Sequence, residues 1–526
     1  MNRSELSVNK VLKLDFPNVP IYKNFVRIVE KNPNAIIIEE GNEKYTSSEI
    51  LSLSNRLSGF LLSQGIKQND TISILLPNSI WFVVSIFAAF KTGAKVSLIN
   101  PRLAENDIQF QMIDSETKVL ITNSNFSSVL GGILKHYQLN SVIQTDKKEN
   151  QIKNAILLKD ILGESYPMEE DLLNLSDIAF LLYSGGTTGK SKGVMLSHSN
   201  VLANAYQFNA WIKQIPKEFS GSVLSALPLC HSFGLQCGFF APIFRGEKII
   251  ILPKFDPKEV LEIIQNKNVN SFYGVPTMYI ALLRLEIEEY DLSSLKLCVS
   301  GGAALPRRVH EEFEKRTGVA IVEGYGLTEC SPVTHINPFA KPKVNSIGKP
   351  LPDTHVKLIN SDTQEDVPKG EVGEVIIKGP QVMKGYWGKG LESVNILTKE
   401  RWLKTGDLAI IDTEGYYFLV DRVKDIINSG GLKIYPREVE EVLFKHLGVS
   451  LAVVIPVPDD YFGEVGKAFI IPREGFNLSE EEMKEYCLEQ NMTKYKIPKS
   501  FEFVESVPLS AAGKVLKREL IRQYNR

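Results

Sequence analysis

Cysteine is scarce. The 526 residues hold five, Cys230, Cys237, Cys298, Cys330 and Cys487, and no two of them form a C-x-x-C pair. An odd count without that spacing argues against a disulfide framework and against a thiolate zinc site. It fits reduced thiols in a cytoplasmic protein. An excess of charge of one sign is also missing: 60 Lys plus Arg face 62 Asp plus Glu. With no basic run and no aromatic-basic stripe, a nucleic-acid partner is not expected. Long apolar runs are absent too. The strongest candidate, Ile80-Trp-Phe-Val-Val-Ser-Ile-Phe-Ala-Ala-Phe90, stops at Lys91. A bilayer span needs about 20 apolar residues, so this run reads as a buried helix. Met1–Pro20 has no apolar core of the kind a secretory signal needs. There is no internal repeat and no low-complexity tract. A hydrophobic share of 43% with 23% charged residues is that of a folded globular chain, and the length calls for more than one domain.

Strand-like and helix-like stretches alternate through the first two thirds. Thr71–Leu76, Ala94–Ile99, Lys118–Thr122, Ser141–Gln144 and Lys248–Leu252 are short apolar strands. Asp256-Pro257-x-Glu259 opens a helix with a capping residue, a first-turn proline and a capping-box glutamate. Val260, Leu261, Ile263 and Ile264 then recur at helical spacing. This alternation predicts an α/β fold with largely parallel sheets. From about residue 343 short strands and glycine turns take over, as in Val356–Ile359, Gly370–Gly379 and Gly415–Val420. After Asp421 comes a mixed stretch with its own helices and strands: Pro436–Leu443, Leu451–Ile455 and Leu478–Gln490. The expected division is a large N-terminal domain, 1–421, with a β-rich subdomain at about 343–421, and a small α+β domain, 422–526. The boundary is placed at Asp421–Lys424.

The densest chemistry lies in Tyr183-Ser-Gly-Gly-Thr-Thr-Gly-Lys-Ser-Lys-Gly-Val-Met-Leu-Ser-His198. Its first eleven residues hold four glycines, two threonines, two serines and two lysines, directly after the apolar run Ile178–Leu182. Glycines let backbone N–H groups turn inward, hydroxyls donate hydrogen bonds and lysines bring positive charge, which together make a phosphate cradle. A Walker loop needs a glycine five positions before Gly189, and Ser184 stands there. The Walker lysine also starts a helix, whereas Val194–Leu196 reads as strand. Further segments follow: Gly301-Gly-Ala-Ala-Leu-Pro306, Glu323-Gly-Tyr-Gly-Leu-Thr-Glu329, Thr405-Gly-Asp-Leu408, Asp421-Arg-Val-Lys-Asp425, Ser429-Gly-Gly431 and Pro508–Lys514. Each alone is equally readable as an ordinary glycine turn or a strand-end acid. Their joint order is what carries information.

On these segments, over essentially its whole length, the chain resembles the adenylate-forming superfamily of acyl- and aryl-CoA ligases, peptide adenylation domains and beetle luciferases. The resemblance implies two half-reactions. A carboxylate attacks the α-phosphate of ATP and releases pyrophosphate. A thiol, usually that of coenzyme A, then attacks the acyl carbon and releases AMP. It implies phosphate contacts from Ser184, Gly185, Gly186, Thr187, Thr188, Gly189 and Lys192. Mg²⁺ would fall to Thr188 and Glu329, whose hard oxygens suit that ion. Tyr325 would stack on adenine beside Gly301, Gly302 and Ala303, with Gly326 and Thr328 in the same segment. Asp407 would take the ribose hydroxyls, with Arg422 next to it. Lys514, otherwise an unremarkable solvated lysine, would be delivered to the α-phosphate by a mobile C-terminal domain turning about Lys424. Gly430 and Gly431 would line the pantetheine channel, where only a residue without a side chain leaves room. His231, in Pro228-Leu-Cys-His-Ser-Phe-Gly234, would lie near the acid's carboxylate. Lys514, His231 and Glu329 are thus the expected catalytic residues.

Two cradle positions depart from the commonest family form. Gly185 stands where many members have Ser, and Ser191 where most have Pro, at some cost in loop rigidity. Ser232–Ala241 contains no acidic residue to hold an amino group, so an apolar acid is the simpler substrate. Pro253–Asp256, Gly274–Tyr279, Gly185 and Glu323 resemble the fatty acyl-CoA ligase branch. An aryl or dicarboxylic acid is the alternative, as is a carrier-protein phosphopantetheine in place of coenzyme A. Peripheral membrane contact, and a monomer or homodimer, are left open.

Overall fold

The computed structural model describes residues 14–146, 152–164, 166, 173–184, 191–214, 221–509 and 515–524. Two large sheets dominate. Among the described residues the first has eight strands in the order Gly385–Tyr386, Lys192–Ser197, Ile178–Ser184, Lys95–Leu98, Thr71–Leu75, Thr117–Thr122, Ser141–Gln144 and Ile156–Leu157. It is parallel from Ile178–Ser184 onward, and the first three strands are mutually antiparallel. The second has nine strands, with a parallel centre in the order Ile321–Gly326, Leu297–Ser300, Ser271–Gly274, Ser222–Ser225, Lys248–Ile251 and Ile36–Glu40. The expected α/β architecture with largely parallel sheets is therefore present.

Helices fill the space against these sheets. Ile80–Lys91 buries ten of its twelve residues. Ser79 caps it by accepting the Phe82 N–H. Phe87 stacks on Phe25 with centroids 4.1 Å apart, and Phe90 meets Phe180 edge-on at 5.2 Å. Each such ring contributes about 2–3 kcal/mol by leaving water, which explains an all-round apolar helix without a membrane. No helix of the described residues is long and apolar enough to cross a bilayer. The helix Pro257–Lys267 starts as its sequence indicates, with the Asp256 carboxylate accepting the Glu259 N–H at 3.0 Å. It stops where Asn268 takes a left-handed conformation.

The stretch from 343 is a four-stranded antiparallel sheet of His355–Ile359, Gly373–Lys378, Leu403–Ile411 and Tyr417–Arg422. The largest buried cluster runs from Ile21 to Tyr417, and separate clusters begin at Ile427. The small C-terminal domain holds Ile427–Ser429, Leu432–Ile434, Val449–Asp459, Gly463–Pro472 and Ser500–Phe503 in one sheet. Helices Pro436–Phe444 and Glu480–Glu489 pack on it. Here the expected strand Leu451–Ile455 falls short: the observed one is Val449–Asp459. Pro456 and Pro458 hide its end, because proline cannot donate to a ladder. They are tolerated because this strand is the outer one in the sheet order.

Candidate functional site

Three parallel strands of the nine-stranded sheet end on one side, and the loops leaving them carry the site, as is general for parallel α/β sheets. Leu297–Ser300 runs into Gly301 and Gly302, the latter with φ of +82°. Ile321–Gly326 carries Tyr325 and Gly326 at its end. His231 follows Ser222–Ser225. Gly326 has no room for a side chain: a Cβ there would lie 2.1 Å from the Pro332 carbonyl oxygen. Ala303, next to Gly302, is exposed.

The Tyr325 hydroxyl donates to Asp407 Oδ2, and Arg422 Nε donates to Asp407 Oδ1 at 2.6 Å. Asp407 and Arg422 are directly paired across two antiparallel strands, and Thr405 Oγ1 accepts the Asp407 N–H. The carboxylate beside its hydroxyl, together with burial, pushes the Tyr325 phenol well above its ordinary value. Asp407 keeps further lone pairs for a ligand, since a carboxylate offers about four acceptor sites. Tyr325, Asp407 and Arg422 thus form one hydrogen-bonded unit; of this the sequence had suggested only that Arg422 lies next to Asp407.

Glu329 lies in the turn Thr328–Cys330. Its Oε1 accepts the Tyr386 hydroxyl at 2.8 Å, and its backbone oxygen accepts the Met383 N–H. The Thr328 hydroxyl is 3.2 Å from that of Ser232. His231 Nδ1 accepts the Phe233 N–H; in the neutral ring this puts the proton on Nε2. His231, Ser232, Gly301, Gly302, Tyr325, Gly326 and Thr328 line one pocket. Its other wall is apolar: Phe208, Phe233, Cys237, Val299, Val333 and Ile336.

Ser184 and Lys192 face each other as register partners at the open end of an antiparallel pair. The strand Lys192–Ser197 confirms that no helix follows the lysine, which removes the Walker reading. The cradle residues between them, Gly185, Gly186, Thr187, Thr188 and Gly189, lie outside the described residues, as does Lys514. His198, which closes the motif, is a core residue. It is fully buried edge-on to Phe90, and burial lowers its pKa to about 3. Lys424 sits in the turn Val423–Asp425, between the large core and the C-terminal one.

Gly430 and Gly431 form the turn between two short strands, with φ of +57° and +85°. A Cβ on Gly431 would meet nothing within 4 Å. A Cβ on Gly430 would come within 3.1 Å of the Phe462 ring, and at both positions the left-handed backbone favours glycine. Neither glycine lines the pocket.

Sequence reasoning missed three residues beside the cradle. Tyr386 joins Glu329 to Lys192, whose ammonium lies 5.1 Å from its ring centroid. Trp387 donates its N–H to the Gly193 carbonyl and its Nε1–H to the Asp114 carbonyl. Glu392 forms an ion pair with Lys192. The dipeptide Tyr386-Trp387 after a glycine was a visible signal; Glu392 had none. Glu323 is also more than a family marker. It is 7% exposed, accepts the Asn345 N–H at 3.1 Å, and burial pushes its pKa up to about 7.

The comparisons agree with this geometry. The family model described as AMP-binding enzyme matches residues 25–387, and that described as AMP-binding enzyme C-terminal domain matches 438–514. A long-chain-fatty-acid–CoA ligase of Bacillus subtilis is 38% identical, over 97% of this chain and 96% of that protein. The crystal structure of the anthranilate CoA ligase AuaEII in complex with anthranoyl-AMP has a TM-score of 0.89 at 27% identity, covering 97% and 98% of the two chains. ATP-bound MatB from Rhodopseudomonas palustris has a TM-score of 0.87 at 26% identity, covering 96% and 99%. With both family models matched in order, the chain belongs to the AMP-binding enzyme family and is an adenylate-forming, ATP-dependent CoA ligase.

Proposed function

We propose that this ligase activates a medium- or long-chain fatty acid and transfers the acyl group to coenzyme A. The observation that carries this is the apolar wall of the pocket, Phe208, Cys237, Val299, Val333 and Ile336, with no acidic residue in Ser232–Ala241. An acyl chain entering there loses about 0.8 kcal/mol of unfavourable hydration per methylene. The similarity to the Bacillus subtilis fatty-acid ligase supports the same choice.

The acid would lie with its carboxylate toward His231 and its tail on the apolar wall. Asp407 accepts the ribose hydroxyls, held in place by Arg422, and Tyr325 covers the adenine beside Gly301 and Gly302. Ser184, Lys192 and the Gly185–Gly189 segment grip the β- and γ-phosphates. A carboxylate oxygen attacks the α-phosphorus, the bond to the bridging oxygen breaks, and pyrophosphate leaves. Two anions approach each other in this step, so fixed positive charge and donors supply most of the catalysis. Lys514 provides the ammonium between carboxylate and α-phosphate. Glu329, oriented by the Tyr386 hydroxyl, fits as a hard-oxygen ligand for Mg²⁺ together with Thr188, and the ion would neutralise phosphate charge. In the second half the coenzyme A thiol adds to the acyl carbon and AMP departs, after the C-terminal domain has turned about Lys424 and brought the Gly430–Gly431 turn to the thiol's path.

An aryl acid is the second reading. The pocket encloses about 50 Å³ of free space between Phe208 and Phe233. A flat ring would need less side-chain movement there than a long chain. ATP-to-AMP turnover with a panel of aliphatic and aromatic acids, each with and without coenzyme A, decides. AMP formation that rises with chain length supports the fatty-acid reading. Turnover confined to aromatic acids overturns it. Turnover that requires a carrier protein instead of coenzyme A reassigns the acceptor.

A further inference from the structure

Lys192, Tyr386, Glu329 and Glu392 form one chain of contacts beside the cradle. The Tyr386 hydroxyl donates to Glu329, and the Tyr386 ring carries the Lys192 ammonium above it at 5.1 Å. That ammonium is also paired with the Glu392 carboxylate, and the pairing holds the Glu392 pKa below its ordinary value. Glu392 belongs to the short helix Gly390–Ile396, which buries none of its residues; Leu391 and Val394 are 85% and 72% exposed. The helix is tethered mainly through Ser393, whose hydroxyl accepts the Tyr386 N–H and donates to the Lys389 carbonyl, both at 2.8 Å. The helix therefore adds little to the core, against which its Ile396 packs partly buried. Its acidic residue nevertheless reaches back to the one described lysine of the cradle.

We propose that Glu392 competes with the nucleotide's phosphates for the Lys192 ammonium, and so sets the affinity for ATP and pyrophosphate. The inference rests on the reading of Lys192 as a phosphate contact. A carboxylate carries one negative charge where the β- and γ-phosphates together carry more, so the phosphates attract the ammonium more strongly. Glu392 is thus displaced rather than being an obstacle. Its partly exposed pair with Lys192 is weak, so the effect is a tuning of affinity. The same competition would help pyrophosphate to leave once the acyl-adenylate has formed, because Glu392 can retake the ammonium. Tyr386 keeps Lys192 within reach of both partners, and its place between Lys192 and Glu329 links the charge and metal sides of the phosphate site.

The test is ATP binding by titration calorimetry without acid, together with steady-state KM values, in E392Q, K192A and the double variant. E392Q is expected to tighten ATP and pyrophosphate binding about two- to five-fold, the range set by exposed ion pairs. Its KM for the acid should stay within about two-fold. K192A should weaken ATP binding, and E392Q should add nothing in the K192A background. Because the Glu392 side chain is itself 42% exposed, the variant threatens little packing, and an unchanged melting temperature verifies that. ATP binding that is unchanged or weaker in E392Q, while K192A weakens it, overturns the proposal and leaves the Lys192 reading standing. Unchanged binding in K192A removes both.

Discussion

Asp407 shows how much a single residue can be asked to do. It accepts from Tyr325 and Arg422 at once, so its remaining lone pairs are oriented before any ribose arrives. Asp407→Asn keeps the shape and loses the charge. Bonds to charged groups contribute about 1.5–3 kcal/mol, so the KM for ATP should rise about 10- to 100-fold with little change in the KM for the acid. An unchanged ATP KM would remove Asp407 from the nucleotide site. Lys514 makes the sharper prediction. Lys514→Ala should lower acid-dependent adenylation by about 10²–10³-fold, yet still convert a preformed acyl-adenylate and coenzyme A to product. Equal loss in both halves would contradict its role. Both residues could be singled out because each stands in a short segment that resembles the family's, although neither residue type alone states its role. Tyr386 and Glu392 could not, because their meaning comes from what faces them across a sheet edge: Gly385–Tyr386 pairs with Val194 and Met195 of the cradle strand.

At the scale of the element, the strand Ile321–Gly326 places Glu323, Tyr325 and Gly326 within four residues. Glu323 points into the protein, where burial raises its pKa from 4.5 to about 7. The native state then binds the proton more tightly than the unfolded chain. That contribution is complete below about 4.5 and is lost as pH rises through about 7. A gap of this size is worth on the order of 2–3 kcal/mol. Glu323→Gln keeps the acceptor for the Asn345 N–H without the charge. Its melting temperature should match the parent near pH 4 and exceed it by about 2–4 °C at pH 8. The same difference at both pH values would show that the charge is not what is felt. The sequence marked this glutamate only as a family resemblance, since burial cannot be read from a residue that stands beside two glycines. The helix Ile80–Lys91 is the opposite case. Its apolar run told of burial, and its length ruled out a membrane. What it packs against, Phe25 and Phe180, required the fold.

At the scale of the whole molecule, two separate cores are joined through Tyr417–Arg422 and the turn Val423–Asp425. The junction carries its own contact: Asp421 accepts the Arg437 N–H. A hinge at Lys424 needs free backbone rotation, and proline fixes φ near −65°. Lys424→Pro should therefore split the two half-reactions. Pyrophosphate exchange and thioester formation would change unequally, one falling at least about ten-fold while the other stays within about three-fold. Equal changes in both would remove the hinge from this position.

The alternation of strands and helices was enough to predict the α/β class, and the ordered glycine-rich and acidic segments carried the resemblance that implied adenylate-forming chemistry. These are local properties: periodicity, turn residues and the charge a phosphate demands are written along the chain. The tertiary structure decided what depends on distant residues meeting. It joined Tyr325 to Asp407 and Arg422, set Tyr386 between Glu329 and Lys192, brought Glu392 to the cradle, and buried Glu323 deeply enough to titrate near neutrality. Contacts between side chains distant in sequence, from 57 positions for Tyr386 and Glu329 to 200 for Lys192 and Glu392, leave no periodic trace, because their energy arises only when the sheets have paired and water has been excluded between them.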